Sequence, residues 1–284
     1  MTETALQPGT SIDAPPLVRR QRRKLSGYLL PVFVWLVIAW TIVPIIFMII
    51  FSFNQAPTGR IAFNWFGFTG TWYRNVFAIG GLTQALEHSL GIAILSSIIS
   101  VVLGTPMALA LARYRFYGKA MTDMVIFADI AAPSVVVGAA LLGFFLTLNI
   151  PRGLTTILIA HVAFSVVFVV VVVRARVSGL DRSLDRAAAD LGANPWISFW
   201  KVIFPLILPG IVAGGLLAFA MSIDDLIITS FVAGQAVTFP IWVYGAVKTG
   251  IPPQVFVMGT MIFVAGVVLA IVNTLVSRRN PAQT

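Results

Sequence analysis

Residues 185–209 read DRAAADLGANPWISFWKVIFPLILP, and the order of helix formers, turn residues and apolar residues in this stretch decides the fold. Just before it, Ser183 can cap a short helix, and Asp185 suits the positive N-terminal end of that helix. The alanines at 187–189 are the strongest helix formers, and Gly192 suits a C-terminal cap. The sequence therefore predicts a short helix at about 183–192.

A second helix is predicted directly after the first one. Asn194 is a good N-cap residue and Pro195 a good first helical residue, so this helix begins near Trp196. It runs into an apolar segment that contains Pro205 and Pro209. Composition alone also fits an ordinary solvated helix at 183–192, so the pattern leaves the role of the first helix open.

The composition of the whole chain places the apolar segments in a lipid bilayer. Of the 284 residues 58% are hydrophobic and 10% are charged, and the mean hydropathy is +0.95. Soluble domains carry about 25% charged residues, so a soluble fold is excluded. Apolar stretches long enough to cross a bilayer predict an all-α, polytopic membrane protein with six transmembrane helices, at 28–52, 89–112, 124–147, 157–177, 202–224 and 255–277.

The distribution of basic residues predicts the orientation of these helices. Of the 19 Lys and Arg residues, only Arg60, Arg74, Arg152 and Lys248 fall on one predicted side. The positive-inside rule places the other side, with both termini, in the cytoplasm. Residues 1–27 are predicted to form a disordered, basic cytoplasmic arm at anionic lipid head groups. The net charge of +9 is thereby assigned to membrane lipid, and a nucleic-acid partner is not expected.

Motifs for catalysis and for ATP binding are missing from the sequence. The only Gly-Lys pair, at 118–119, is followed by Ala120, so no GxxxxGK[ST] loop occurs, and neither HExxH nor GxSxG is present. The chain has no Cys, which excludes thiol catalysis and Cys-ligated metals. His88 and His161 lie on different predicted helices. For His161 we predict a polar contact between helices, with a pathway role or metal ligation as alternatives.

Acidic residues within the apolar segments are the candidates for a substrate pathway. An Asp at the centre of a membrane helix costs about 2.5 to 3.5 kcal/mol, so such residues usually face protein or water. Small residues that allow close helix packing repeat every four positions at 96–112 and again at 210–222, and the first stripe, which begins at Ser96, is predicted to be a packing face without chemistry. Asp225 extends the second stripe, whereas Asp224 is turned away from it. We predict Asp225, Asp224 and Asp129 as pathway residues. The alternative for the pair is simple solvation at an outer helix end, since residues 226–253 return to the external side.

The run from 185 to 209 resembles the EAA signature of the permeases of ABC importers. In that family a short helix docks on a cytoplasmic ATPase and transmits its closure. The resemblance implies a coupling element within 183–192 and the turn after it, formed by Asp185, Arg186, Ala187, Ala188, Asp190, Gly192, Ala193 and Asn194. Arg186 stands where the motif has Glu, which puts a salt bridge of the family at this point in doubt, and the neighbouring Asp185 is the candidate substitute.

A wider resemblance, over about 250 residues, links the chain to the polyamine (spermidine/putrescine) permeases. It is carried by segments that include NWFGFTGTWYRNVF at 64–77, ARYRFYGK at 112–119, AHVAF at 160–164 and SIDDLIITSFVAG at 222–234. In the third span the subfamily often has Asp directly after Pro. Here Ser134 follows Pro133, and the acid, Asp129, precedes it.

This resemblance implies a type I (MetI-like) permease domain at 28–284 in the inner membrane of a bacterium. It also implies three protein partners, namely an ATPase dimer that binds ATP and Mg²⁺, a second permease subunit and an extracytoplasmic substrate-binding protein. No cofactor and no enzymatic activity are expected in this chain itself. The alternatives are a permease for another small cationic or amino compound and a self-sufficient secondary transporter or channel. An intramembrane enzyme lacks a nucleophile and base at recognisable spacing.

Overall fold

The computed structural model describes residues 26–56, 64–181 and 183–278. These residues are helical apart from turns and one isolated antiparallel bridge between Asn54 and Phe68. The predicted all-α class is confirmed. The predicted basic arm at 1–27 lies almost entirely outside the described residues, and the first helix begins at Ser26.

The described ranges contain twelve α-helices and one π-helical turn, Phe199–Ile203, which joins the helices Pro195–Ser198 and Phe204–Ile223 without a break. In chain order the α-helices are α1 (Ser26–Phe51), α2 (Thr71–Arg74), α3 (Gly80–Arg113), α4 (Lys119–Ala131), α5 (Ser134–Thr147), α6 (Leu154–Ser178), α7 (Ser183–Asp190), α8 (Pro195–Ser198), α9 (Phe204–Ile223), α10 (Ile227–Val232), α11 (Phe239–Thr249) and α12 (Pro253–Arg278).

Five helical runs of the described chain are long and apolar enough to cross a membrane. They are α1, α3, α6, the continuous run Pro195–Ile223 and α12, and each overlaps one predicted span. The third predicted span, a continuous helix at 124–147, is wrong, because α4 and α5 meet at an angle of 110°. The break lies at Ala132, whose backbone is extended, and at Pro133, which disfavours helical geometry in the residue before it. The described chain therefore has five candidate spans, or six if this bent pair is one span.

The chain divides into two compact units, Met1–Phe47 and Met48–Thr284. In the first unit, the described part of α1 contains Pro31 and Pro44 and carries large apolar side chains such as Trp40, which is mostly exposed. Such a surface is typical of a helix in an apolar environment. The second unit contains the remaining helices and the candidate sites.

Small residues let three helices of the second unit pack closely. The stripes on α3 and α9 are buried, with Ser96, Ser100, Gly104 and Ala108 on one helix and Gly210, Gly214, Ala218 and Ser222 on the other. A Cβ atom on Gly104 would lie 3.0 Å from Val169 Cγ1, and one on Gly214 would lie 3.4 Å from Val169 Cα. Both helices therefore approach α6 at the same residue, and the predicted packing stripes are confirmed.

The segment after α9 folds back into the bundle, which the sequence analysis did not anticipate. Helix α10 contributes Ile228 and Val232 to a buried cluster that also contains Phe145 of α5 and Ile157 of α6. The Thr156 hydroxyl donates to the Val232 carbonyl oxygen over 2.8 Å. These contacts anchor α10 against α5 and α6, directly after the short connection that follows α9.

Candidate functional site: an acidic cleft and an exposed helix

The three predicted pathway acids line one cleft of about 480 Å³. Asp129 comes from the last turn of α4, while Asp224 and Asp225 form the connection between α9 and α10. Phe164 and Phe168 of α6 contribute to the same wall. The break after α4 and the docking of α10 bring these distant parts of the sequence together.

The three acids differ in their exposure to solvent. Asp224 is exposed and Asp129 is half-buried, with an Oδ2 atom that is buried and has no hydrogen-bond partner in the structure. The Asp225 side chain is only 12% exposed. The stripe of small residues in the sequence also predicts Asp225 as the inward-facing acid. However, α9 ends at Ile223, so Asp225 is turned inward by the connection after α9 and not by a continuing helix. The role of these acids as a pathway stays a prediction.

A chain of hydrogen bonds connects Asp225 to residues of four helices, α3, α6, α9 and α10. His161 of α6 contacts Ser222 Oγ through Nδ1 (2.6 Å) and Thr229 Oγ1 through Nε2 (2.9 Å). Thr229 donates to Asp225 Oδ2 from both its backbone N–H and its hydroxyl, each over 2.7 Å. At the other end Ser96 of α3 donates to Ser222 over 3.0 Å. His161 therefore makes the predicted polar contact between helices.

The hydroxyl groups link the histidine to the carboxylate. The Thr229 hydroxyl has one proton, which goes to Asp225, so Thr229 Oγ1 accepts its second hydrogen bond from His161 Nε2–H. On the other side of the ring, Ser222 Oγ contacts His161 Nδ1 and Ser96 Oγ. These bonds fix the position of the Asp225 carboxyl group at the edge of the cleft.

A larger groove of about 990 Å³ lies between α3, α9 and α12, but its chemistry is different. Leu, Ile, Phe, Met, Ala and Gly line almost all of it, and Glu87 is its single charged residue. A groove of this composition suits acyl chains or apolar side chains. The smaller cleft, with three carboxylates, is the candidate site for a charged ligand.

The predicted exposed helix is present as α7, which lies next to the C-terminal end of α3. Helix α7 ends in a Schellman motif, in which Gly192 has φ +80°. The Gly192 N–H donates to the Ala189 carbonyl oxygen (2.9 Å), and the Ala193 N–H donates to the Ala188 carbonyl oxygen (3.0 Å). Asn194 then caps α8 by accepting from the Ile197 N–H over 2.8 Å. The predicted C-terminal cap and the second helix start are confirmed.

The predicted N-terminal cap of α7 at Ser183 is wrong, because Ser183 lies within the helix. Ser183 is the first helical residue, and its backbone N–H donates to Asp181 Oδ1 over 2.8 Å. This hydrogen bond holds the pKa of Asp181 below its usual value, so the acceptor is ionised at neutral pH and is lost only when the pH falls through the lowered pKa.

The charged residues of α7 differ in their partners. Asp185 forms an ion pair with Arg113 at the end of α3. This pair and Arg186 line a second cleft, of about 560 Å³, which is separate from the acidic cleft. Of the remaining predicted coupling residues, Ala188 is buried and Ala193 half-buried, whereas Ala187, Asp190, Gly192 and Asn194 are exposed. Asp185 therefore ties α7 to α3, and the exposed face of α7 is free of that contact.

The sequence points to the acids but not to the polar chain behind them. It predicts Ser96 in a packing stripe without chemistry, and it gives no role to Thr229. A signal was present, since Ser222, Asp225 and Thr229 are spaced three and four residues apart, as polar residues on one helical face would be. The contact with His161 joins segments about 60 residues apart in the sequence and could not be read from local spacing.

Comparisons with known proteins agree on one family. The model of the family described as binding-protein-dependent transport system inner membrane component matches residues 100–280. The spermidine/putrescine transport system permease protein PotC of Escherichia coli (strain K12) is 36% identical over 247 residues, which cover 87% of this chain and 92% of PotC. The putrescine transport system permease protein PotI of the same strain is 37% identical over 227 residues, covering 77% and 80% of the two chains.

A solved structure shows the same fold. A chain of a bacterial ABC transporter involved in the import of the acidic polysaccharide alginate superposes with a TM-score of 0.63 at 19% identity, over 93% of this chain and 99% of that one. The helical architecture is that of ABC importer permeases, as predicted. The chain belongs to the family of binding-protein-dependent transport system inner membrane components.

Proposed function

We propose that this chain is a transmembrane permease subunit that carries polyamines such as putrescine and spermidine into the cytoplasm. The observation that carries the proposal is the cleft in which Asp129, Asp224 and Asp225 meet. Carboxylates attract cations and raise their local concentration, most strongly in a cleft with apolar walls. The names of the relatives PotC and PotI point to the same substrates.

The cleft has the chemistry that a polyamine requires. A polyamine alternates ammonium groups with methylene chains, so it needs spaced acids and apolar surface between them. Asp129 and the pair at 224–225 supply the acids from different elements, and Phe164 and Phe168 supply ring faces for methylene and cation contacts. No covalent step is involved, since translocation needs only a site that opens alternately to the two sides.

The energy for this cycle comes from partner chains. We propose an ATPase dimer that binds ATP and Mg²⁺ and docks on α7, a second permease subunit that completes the pathway, and an extracytoplasmic protein that delivers the substrate. The exposed Ala187, Asp190 and Asn194 support α7 as the docking element. In this proposal the chain lies in the inner membrane of a bacterium, with both termini in the cytoplasm and no cofactor of its own.

The test is uptake of labelled putrescine and spermidine by cells with and without the gene, repeated after ATP depletion with the ion gradients clamped. We expect deletion to remove ATP-dependent uptake. Uptake of both polyamines that is unaltered by deletion would contradict the substrate assignment, and loss of uptake of another amine would identify the cargo instead. Uptake that follows the ion gradient rather than ATP would indicate a secondary transporter.

A variant tests the cleft itself. Asp225→Asn removes the charge of the innermost acid, and we expect the half-saturating polyamine concentration to rise about tenfold, because a charged hydrogen bond contributes roughly 1.5 to 3 kcal/mol. Glu87→Gln is the matched control, since Glu87 is an exposed acid in the apolar groove and does not line the cleft. Equal uptake by both variants would remove Asp225 from the pathway.

A further inference from the structure

His161 is buried more deeply than any acid of the cleft and does not line it. Its side chain is 2% exposed, and both ring nitrogens have hydrogen-bond partners. A buried polar group costs free energy unless its hydrogen bonds are made. Both bonds of the His161 ring are made, and they fix the positions of its partners Ser222 and Thr229 relative to α6.

The partners of His161 lead to the cleft along two routes. Through Thr229 its Nε2–H reaches the Asp225 carboxylate, and Nε2 itself lies 3.5 Å from Asp225 Oδ2. Its ring also packs edge-on against Phe164, with ring centroids 5.3 Å apart. Asp225 and Phe164 both line the cleft, so His161 contacts one acid and one ring of the site from behind.

The opposite side of the ring is anchored to the helix bundle. Ser222 Oγ lies 2.6 Å from Nδ1, and Ser96 donates to Ser222. Ser96 and Ser222 are on the packed faces of α3 and α9. Because the ring is held there, a rotation of His161 would break bonds at both ends, and the orientation of the Asp225 carboxylate is tied to the packing of α3, α6 and α9.

We infer that His161 is a positioning residue for substrate recognition, which holds the Asp225 carboxylate, through Thr229, in the orientation that receives an ammonium group. The inference rests on the proposed transport function and adds a residue that never touches the substrate. It separates two roles in the cleft, in which Asp225 binds the cation and His161 fixes the geometry of that acid. Preorganised groups bind more tightly because less orientation is lost on binding.

Three substitutions separate positioning from mere packing. His161→Met fills the space with an apolar side chain and removes both ring bonds. His161→Gln keeps an N–H donor on a side chain that reaches towards Thr229. Thr229→Val keeps the shape of the residue and removes only the hydroxyl that links the ring to Asp225. Each variant is expressed in the complete transporter, and uptake is measured against putrescine and spermidine concentration and normalised to the amount of chain in the membrane.

We expect His161→Met and Thr229→Val each to raise the half-saturating concentration about tenfold, with a much smaller change in the maximal rate, and His161→Gln to recover most of the loss. We further expect that His161→Met adds no increase in an Asp225→Asn background, because residues that act through one another are not additive.

The outcomes distinguish the two proposals. If Asp225→Asn alone leaves uptake unchanged, Asp225 is not part of the polyamine pathway and the role of His161 falls with it. If Asp225→Asn impairs uptake but His161→Met lowers it by the same factor in both backgrounds, the cleft stands and the positioning role is overturned. If His161→Met does not accumulate in the membrane, Thr229→Val is compared in the parent and in the Asp225→Asn background, and the same two outcomes apply. A Thr229→Val variant with unchanged uptake kinetics overturns the inference.

Discussion

At the scale of single residues, Asp129 is the least compensated acid of the cleft. Its Oδ2 atom is buried without a hydrogen-bond partner, whereas Asp225 Oδ2 accepts two bonds from Thr229. An uncompensated carboxylate at this depth is unfavourable for folding, since burial disfavours charge. Its presence is consistent with a ligand that supplies the missing partner.

We predict that Asp129→Asn impairs transport without destabilising the fold. The substitution removes a charge that the fold does not satisfy, so the free energy of unfolding should stay within about 1 kcal/mol of the parent or rise. Uptake of the triamine spermidine should fall more than that of the diamine putrescine, because the longer substrate has one more ammonium group to place.

Uptake kinetics and thermal denaturation of the detergent-extracted chain measure the two effects. Asp123→Asn serves as the opposite control, because Asp123 is paired with Arg174 and lies outside the cleft. A large loss of stability in Asp129→Asn with unchanged uptake would indicate a structural role instead.

The acids were visible in the sequence for a simple reason, and the residues that support them were not. A charge inside an apolar segment stands out against its neighbours, so Asp129, Asp224 and Asp225 could be selected from composition alone. Hydroxyl groups in membrane helices are common and can donate to a backbone carbonyl of their own helix, as Ser96 does to that of Ala93. The importance of Ser96 and Thr229 appears only when four helices are assembled.

At the scale of secondary structure, the turn after α7 depends on a left-handed backbone conformation at Gly192, which favours glycine. Gly192 has φ +80°, and a Cβ atom there would meet no other atom within 4 Å. The cost of a side chain at this position therefore comes from the backbone and not from a clash within the chain. This makes it a position where strain and obstruction of a partner can be separated.

We predict that Gly192→Ala weakens the turn by about 1 kcal/mol, since a Cβ in the left-handed region is unfavourable. Gly192→Leu adds a bulky side chain on the exposed face and should in addition uncouple ATP hydrolysis from transport. The measurement is the ratio of ATP hydrolysed to polyamine transported in reconstituted vesicles.

Gly179→Ala is the matched control, because Gly179 has an ordinary φ of −81° and a Cβ there would lie 3.6 Å from its nearest neighbour. If Gly192→Leu keeps the parental ratio, α7 does not contact the ATPase through this turn.

Local chemistry explains which elements could be predicted. The C-terminal cap of α7 and the N-terminal cap of α8 depend on residues within a few positions of each other, so Gly192 and Asn194 predict them correctly. The break at Pro133 was missed because apolar residues flank it on both sides, and hydropathy carries no information on a bend of 110°. Helix α10 was missed because it is short and is stabilised by contacts with α5 and α6 rather than by its own sequence.

At the scale of the whole molecule, α3 is long enough to place its two ends on opposite sides of a membrane. With 34 residues it extends about 50 Å, more than the roughly 30 Å of a bilayer core. Its N-terminal end follows α2, and its C-terminal end carries Arg113, which binds α7. The segment before α3 and the helix α7 are therefore expected on opposite sides of the membrane.

The absence of cysteine from the sequence makes this arrangement directly testable. We predict that a membrane-impermeant maleimide labels Gly70→Cys in intact cells and labels Ala187→Cys only after permeabilisation. Both positions are exposed, and a Cβ on Gly70 would meet no atom within 4 Å. The parent chain gives the background, and labelling of Ala187→Cys in intact cells would reverse the proposed orientation.

The graded exposure of the three acids has a consequence for the passage of a hydrated cation. Each ammonium group must shed water before it can enter an apolar pathway, and shedding it all at once is the most costly route. Asp224 is exposed, Asp129 is half-buried and Asp225 is 12% exposed. In the proposed pathway, an ammonium group that moves from the first acid to the last would therefore exchange its water for carboxylate oxygens in small steps rather than all at once.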